Sequence, residues 1–567
     1  MDNASEFRRA ARALLDHLDS EKNINASVFE TNIRVVGGLI SAHLLSRRAG
    51  FEVEPSWPCS GALLRQAELF ANKLLPAFNT PTGMPYGTVN FQLGGVPNGE
   101  TPVTCVAGIG TFILEFGTLS RLTGDPRYEA AAMRALKAMW KYRSSIGLLG
   151  NHIDVITGSW TARDATIGSG VDSYFEYLVK GAALFRLPEL DSMFREYRVA
   201  IEKYIRHGDW NPMINKDKGG VTVAVFQSLE AFWPGLLALT GDIEGARRHL
   251  IAYHEIWRKY GFLPEFYSLT DEKAYKGREA YPLRPELIES ILYVYRATRD
   301  PSLIDMGVDI LTSIEVSART PCGFATVSDV TKHTLEDRME SFFLAETTKY
   351  LYLLFDENNF IHQLPGERLS SERTARSPSG LQCYPELGGY IFNTEAHPID
   401  PGALNCCFAP HLDDIVQASK VETLLTDLNH FQQLNNNDDD EVDDNATDAS
   451  GEVAEIDLLS TVDSIFNEHI QSQLGDYDYY LFNDSFTWIM NQSSFNCFNN
   501  AYFDSDLINS WIELRKIINS SISVIENDDQ LQKVNNIVLD STKPPLLTCP
   551  YPSFQDRFGI FELLTST

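Results

Sequence analysis

Four acidic side chains stand in apolar or aromatic stretches, far apart in the chain: Glu30 in VFETNIR, Asp172 in GSGVDSYFEYLVK, Glu265 in GFLPEF and Glu286 in YPLRPELIES. A carboxylate in such surroundings costs free energy unless it is paired, hydrogen-bonded or neutralised. Convergence on one cavity, where the four would do acid–base chemistry, is the economical explanation. Glu30 and Arg34 are four residues apart and share a helix face. An ordinary surface ion pair has that spacing too, but Phe29, Ile33, Val35 and Val36 with Gly37 and Gly38 indicate a buried helix start, where a Glu beside an Arg fits a general acid.

Asp172 follows Gly168 and Gly170 and opens a helix, which is also where a plain N-cap belongs. Tyr174, Phe175 and Tyr177 directly after it offer aromatic walls, which suit a sugar. Pro285 starts a helix that carries Glu286 and Glu289 on one face, with Arg284 just before them. Two carboxylates that close push their pKa values apart, the usual way to divide acid and base roles. Helix-dipole stabilisation alone would be worth about 0.3–1 kcal/mol. In MESFFLAETTKYLYLLF a core helix with one satisfied Glu is the simpler reading of Glu346. The stretch YIFNTEAHP offers hard oxygen ligands for Ca²⁺ at Thr394.

Helical periodicity positions these residues. It predicts helices over 5–18, 32–48, 61–76, 106–122, 126–143, 171–186, 190–206, 227–239, 243–259, 285–298, 302–316 and 337–355, with few β-like alternations. LTGDP at 122–126, LTGDI at 239–243 and ATRDP at 297–301 each join two amphipathic helices. The small or glycine residue stops one helix, and the Asp and a following Pro start the next. Such a hairpin repeat is too long for TPR or HEAT units and suits a ring of hairpins, an α/α toroid with a central cavity. An irregular helical domain is the alternative. The long Gly-, Pro- and Thr-rich segments 79–104, 150–170 and 262–284 lead towards the carboxylates, as functional loops do.

The chain has 567 residues, 44% of them hydrophobic, and a net charge of −30. That charge argues against nucleic acid as a partner, because phosphate contact needs a basic surface. No run of 18 apolar residues predicts a transmembrane segment. Most of the negative charge lies after residue 412, where NNNDDDEVDDN at 435–445 reads as solvated and disordered. Two domains are expected: a helical one over 1–411 and an acidic, Asn/Asp-rich, partly disordered extension over 412–567. Eight cysteines without metal-ligand spacing, and sequons that include Asn3 and Asn25, point to an oxidising, glycosylating compartment. The segment from Met1 is polar and helix-like rather than a secretion signal.

Taken together and in order, FETNIR–GG, GSGVDSYFEYLVK, LPE, LRPELIES, MESFFLAETTKYLYLLF and FNTEAHP resemble the landmarks of the glycoside hydrolase family 47 α-1,2-mannosidases, over about residues 5–400. Within that family the chain looks like the ER degradation-enhancing subgroup. The resemblance implies an all-α (α/α)7 barrel, bound Ca²⁺ and inversion at the anomeric carbon. Carried over motif by motif, Glu30 would be a general acid and Glu286 the base, with Asp172 and Glu265 completing the catalytic set. Thr394 would hold Ca²⁺. Arg34, Glu115, Arg284, Glu289, Phe342, Glu346 and Glu395 would line the sugar pocket. The implied partners are high-mannose N-glycans on misfolded glycoproteins in the endoplasmic reticulum lumen. The implied activity is release of α-1,2-linked mannose, or glycan binding with little turnover. Cys549, in a short Pro-flanked motif, is a candidate for a mixed disulfide with a thioredoxin-like oxidoreductase. Two departures stand out. The family's signal segment, first helical hairpin and DSLDTL-like motif do not precede FETNIR here, and an incomplete N-terminus is the expected reason. Gly170 stands where Golgi-type members carry Arg, so their linkage preference does not transfer.

Overall fold

The computed structural model describes residues 3–364, 375–376 and 382–407, all within one compact unit. The expected 411/412 division, the acidic extension and Cys549 lie outside the described residues.

Helices dominate in chain order: α1 (Ala4–His17), α2 (Val28–Glu30), α3 (Gly37–Leu45), α4 (Ala62–Leu74), α5 (Val106–Gly110), α6 (Ile113–Thr123), α7 (Arg127–Lys141), α8 (Asp172–Phe185), α9 (Pro188–Ala200), α10 (Trp233–Leu239), α11 (Ile243–Tyr260), α12 (Glu286–Thr298), α13 (Ser302–Ser313) and α14 (Thr348–Phe355). A wider π-helical stretch, Thr31–Val36, joins α2 to α3, and another, Phe343–Thr347, leads into α14. The helix expected from residue 337 starts only near 341, because Arg338 and Glu340 pair in the preceding loop.

Two concentric rows account for the different burial of these helices. The inner row runs α3, α6, α8, α10, α12, α14, each packed on the next. Each inner helix but the last returns through an outer partner, respectively α4, α7, α9, α11 and α13. Inner α6 is buried on every side from Ile113 to Ser120, whereas outer α7 buries only a stripe that includes Tyr128, Ala131, Ala135 and Met139. Apolar all round against apolar on one face is the sequence difference expected of the two positions. Among the described residues the inner row does not close helix on helix. A hairpin of Ile391–Phe392 with Pro398–Ile399 lies between its two ends. There Asn393 Nδ2 donates to the Ile33 carbonyl (2.9 Å), Ser41 Oγ to the Pro398 carbonyl (2.8 Å), and Lys349 Nζ to the Ala396 carbonyl (2.5 Å).

The three recurring turns share one chemistry. Gly124 ends α6 in the left-handed region (φ 80°), and the Asp125 side chain accepts from the Arg127 amide at 3.0 Å. Gly241 (φ 85°) precedes Asp242, which accepts from the Gly245 amide at 2.8 Å. In the third turn Arg299 takes the left-handed position (φ 56°), and Asp300 accepts from the Ser302 amide at 3.0 Å.

The long interhelix segments contain short antiparallel ladders in place of featureless loop. Asn25–Ser27 pairs with Thr88–Asn90, and Val103–Cys105, His152–Asp154 and Trp160–Ala162 form a three-stranded sheet. Val225–Gln227, Phe266–Ser268 and Lys273–Ala274 form another. Strands this short give no readable alternation, which is why few β-like elements were expected. Several of these ladders stand immediately before inner helices, so the N-terminal ends of those helices meet at one mouth. Disulfides Cys59–Cys407 and Cys383–Cys406 tie the end of the described chain to the segment before α4 and to the Gln382–Cys383 strand.

Candidate active site

The site lies where the inner helices begin. Ser27 caps α2 and places Glu30 at its end. Val28, Ile33 and Val36 are buried around it, as expected of a buried helix start, but Glu30 itself keeps 48% of its side-chain surface exposed. Arg34 Nε meets Glu30 Oε2 at 2.5 Å, and its Nη1 meets Glu395 Oε1 at 2.6 Å. At the other side Arg284 forms a two-pronged pair with Glu265, Nε to Oε1 at 2.5 Å and Nη2 to Oε2 at 3.0 Å. The Phe342 ring takes the Arg34 guanidinium at 5.8 Å and the Arg284 guanidinium at 5.6 Å. One aromatic ring thus serves two arginines, each already holding a carboxylate.

Asp172 and Glu286 differ from those paired acids. Asp172 is the first residue of α8, with Val171 before it, and accepts the Ser173 amide at 2.9 Å rather than serving as the cap. Burial pushes its carboxyl up to about 7 against the pull of that amide, and Arg284 opposes the rise. Glu286 opens α12 after Pro285; its nearest cation is Arg284, 4.0 Å away. Its Oε2 is buried without a hydrogen-bond partner. Burial pushes Glu286 up to about 7, opposed by Arg284 and reinforced by Glu265 and Asp172. The four acids therefore divide into two held by arginines and two half-buried ones, without a close cation, whose desolvation pushes them up to about 7.

Below them lies a deeper layer. Glu289 is buried on the same face of α12 as Glu286; Tyr350 OH donates to it at 3.3 Å, and Lys180 Nζ, paired with Glu176, lies 3.8 Å away. Burial pushes Glu289 up to about 8 although Lys180 pulls the other way. Glu346 is raised well above its ordinary value by burial, then by Glu395, Glu289 and Glu286, with Lys349 opposing. Glu395 is pushed up to about 7 by burial, against Arg34. Glu115 is fully buried and accepts from Asn32 (2.9 Å), Tyr177 (2.7 Å) and Asn393 (2.8 Å). It anchors the 391–399 hairpin, and its effect on a sugar would be exerted through that hairpin. Thr394 stands at the hairpin tip, its amide donating to Tyr177 OH at 3.4 Å.

Among the described residues no three His, Cys, Asp or Glu side chains cluster as metal ligands. The surroundings of Thr394 still fit a hard cation. Glu346, Glu395 and Glu289 are buried, and Glu346 is raised by the other two with only Lys349 opposing. A divalent ion held by the Thr394 oxygens, with waters reaching these acids, matches that donor set.

The structure thus gathers Arg34, Glu265, Arg284, Glu286, Phe342 and Asp172 around shared partners and links Glu30 to them through Arg34. The expected aromatic walls are corrected: Tyr174, Phe175 and Tyr177 are all buried in the packing of α8, and Phe342 stands beside the arginines instead. Sequence reasoning missed Asn32, Asn393, Lys180 and Lys349. The signal was available for Lys180, a charge inside the apolar run YLVKGAALF, whereas Asn32, Asn393 and Lys349 stand beside other polar residues and nothing local marks them.

The family model for glycosyl hydrolase family 47 matches residues 1–400. ER degradation-enhancing alpha-mannosidase-like protein 2 of Homo sapiens is 60% identical over 407 residues, 72% of this chain and 69% of that one. Alpha-mannosidase I MNS4 of Arabidopsis thaliana is 45% identical over 410 residues, 71% of this chain and 61% of that one. Among solved structures, the alpha-1,2-mannosidase from Trichoderma reesei superposes with a TM-score of 0.57 at 26% identity, covering 69% of this chain and 86% of that one.

Proposed function

The chain belongs to glycosyl hydrolase family 47, and on that premise we propose that it hydrolyses terminal α-1,2-linked mannose from high-mannose N-glycans of misfolded glycoproteins in the endoplasmic reticulum lumen, promoting their degradation. The observation that carries this reading is the pair of half-buried carboxyls, Asp172 and Glu286, each pushed up to about 7 and flanked by the arginine-paired acids Glu30 and Glu265.

In the proposed inverting reaction Glu286 is the general base. The ionised form of Glu286, present as pH rises through about 7, would take a proton from the attacking water, its Oε2 having no other hydrogen-bond partner. The bond from the anomeric carbon to the leaving oxygen breaks as the bond to water forms, and the leaving oxygen receives a proton. The resemblance assigns that proton to Glu30. Burial favours Asp172 for the role, because its carboxyl is still protonated near neutral pH whereas Glu30 sits in an ion pair. Arg34, Arg284 and Phe342 would grip the sugar. A calcium ion at Thr394 would supply orientation of sugar hydroxyls and polarisation of the water.

Mannose release from a high-mannose glycan tests the reading. Retained glycan binding with no release would replace it with the adaptor role. A mannoside with a good leaving group separates the two donors, because it needs no acid. That substrate should restore turnover to Asp172→Asn, and rescue of Glu30→Gln alone would return the role to Glu30.

A further inference from the structure

Gln227 ends the strand Val225–Gln227 and caps the helical turn before α10. It is 2% exposed and carries no charge, and its contacts reach both halves of the acid set. Its Oε1 accepts the Ser169 amide at 3.2 Å, and its Nε2 donates to Thr166 Oγ1 at 3.1 Å. Thr166 Oγ1 also accepts the Gly168 amide at 3.1 Å. These bonds fix the 166–170 turn, whose Gly168 carbonyl accepts the amides of Val171 and Asp172 at 3.1 and 3.0 Å. The turn is pressed close: a β-carbon on Gly168 would lie 2.7 Å from Glu230 Cγ and 3.4 Å from Gln227 Oε1. On its other side Gln227 pairs with Phe266 across the ladder, and the next residue, Ser228, donates its amide to the Glu265 carbonyl at 3.0 Å. Glu265 in turn holds Arg284, the cation nearest Glu286.

We propose that Gln227 is a positioning residue that sets the distance between Asp172 and the Glu265–Arg284–Glu286 group. It touches neither substrate nor reacting atoms. Its amide grips the Asp172 turn with both its donor and its acceptor, while its strand pairs with Phe266–Ser268, the strand that Glu265 immediately precedes. The proposal rests on the hydrolase reading for its kinetic part and on structure alone for the rest. Misplacement of reacting groups by about 1 Å costs on the order of 100-fold in rate.

The test compares the wild-type chain with Gln227→Leu, Gln227→Glu, Thr166→Val and the Gln227→Leu/Thr166→Val pair, by mannose release from a high-mannose glycan and by hydrogen exchange of amides 166–172. Gln227→Leu should lower kcat by about 30- to 100-fold with KM within about threefold, and should speed exchange across 166–172. Gln227→Glu keeps an acceptor for Ser169 and should lose less. In the double variant the loss should be smaller than the product of the single losses, because both break the same bond. Unchanged exchange at 166–172 in Gln227→Leu overturns the proposal, as does a KM rise with kcat intact, or independent effects of the two single changes. If wild type releases no mannose, the hydrolase reading fails, while faster exchange in Gln227→Leu still upholds the positioning role.

Discussion

The arginine-held acids at the mouth and the arginine-poor acids beneath them are built from the same residue types by opposite physics. Glu30 and Glu265 each have a guanidinium 2.5 Å away. Asp172 and Glu286 have none closer than the 4.0 Å approach of Arg284 to Glu286, and desolvation sets their behaviour. Pairing fixes charge in place, whereas burial without pairing makes charge conditional on pH. A site that must both grip a polar sugar and move protons needs the two kinds side by side.

Removing a conditional acid breaks the comparison most severely. Glu286→Gln or Asp172→Asn should cut mannose release by about 10²–10⁴-fold, the usual range for general acid–base groups. The same changes should raise Tm. In the folded chain these carboxyls bind protons up to about 7, whereas in the unfolded chain they release them near pH 4. Stability from these groups is therefore full below about pH 4 and is lost as pH climbs through about 7. Calorimetry at pH 5 and pH 8 should show a larger gain for the amide variants at pH 8.

Next in size is Arg284→Met, which leaves Glu265 and Glu286 without their cation. It should destabilise the fold by about 3 kcal/mol by chemical denaturation, and Glu265→Gln in the same chain should recover part of that loss. Chelation should follow. If the crowded acids below Thr394 are relieved by calcium, EDTA should lower Tm and added Ca²⁺ restore it, and Thr394→Ala should weaken that response. The smallest effect on folding belongs to the exposed pair. Glu30→Gln should change stability by less than about 1 kcal/mol, whatever it does to turnover.

Much of this was legible because burial leaves marks on sequence. Most helix positions follow the apolar period to within a few residues, although 106–122 divides at Thr111–Phe112 and 227–239 begins as a tighter turn, and the Gly124, Gly241 and Arg299 turns are marked by the Asp that follows each. The carboxylates stood out as charges in apolar runs. What was not legible depends on distance between remote segments. Nothing local says that Arg34 reaches Glu395, that Tyr177 turns inward to Glu115, or that Glu30 is open while its neighbours are buried. The ladders escaped notice because pairs of two to four residues are decided by their partners, not by their own composition.

The hairpin at 391–399 is the last of the described ladders to leave the ribosome, yet it closes on segments made hundreds of residues earlier as well as on α14. It bonds to Ile33 and Ser41 near the start of the array and to Lys349 near its end. A growing chain that already contains Glu30, Asp172 and Glu286 would still lack its proposed cation seat, so any calcium-dependent chemistry would be withheld until synthesis passes the 391–399 hairpin.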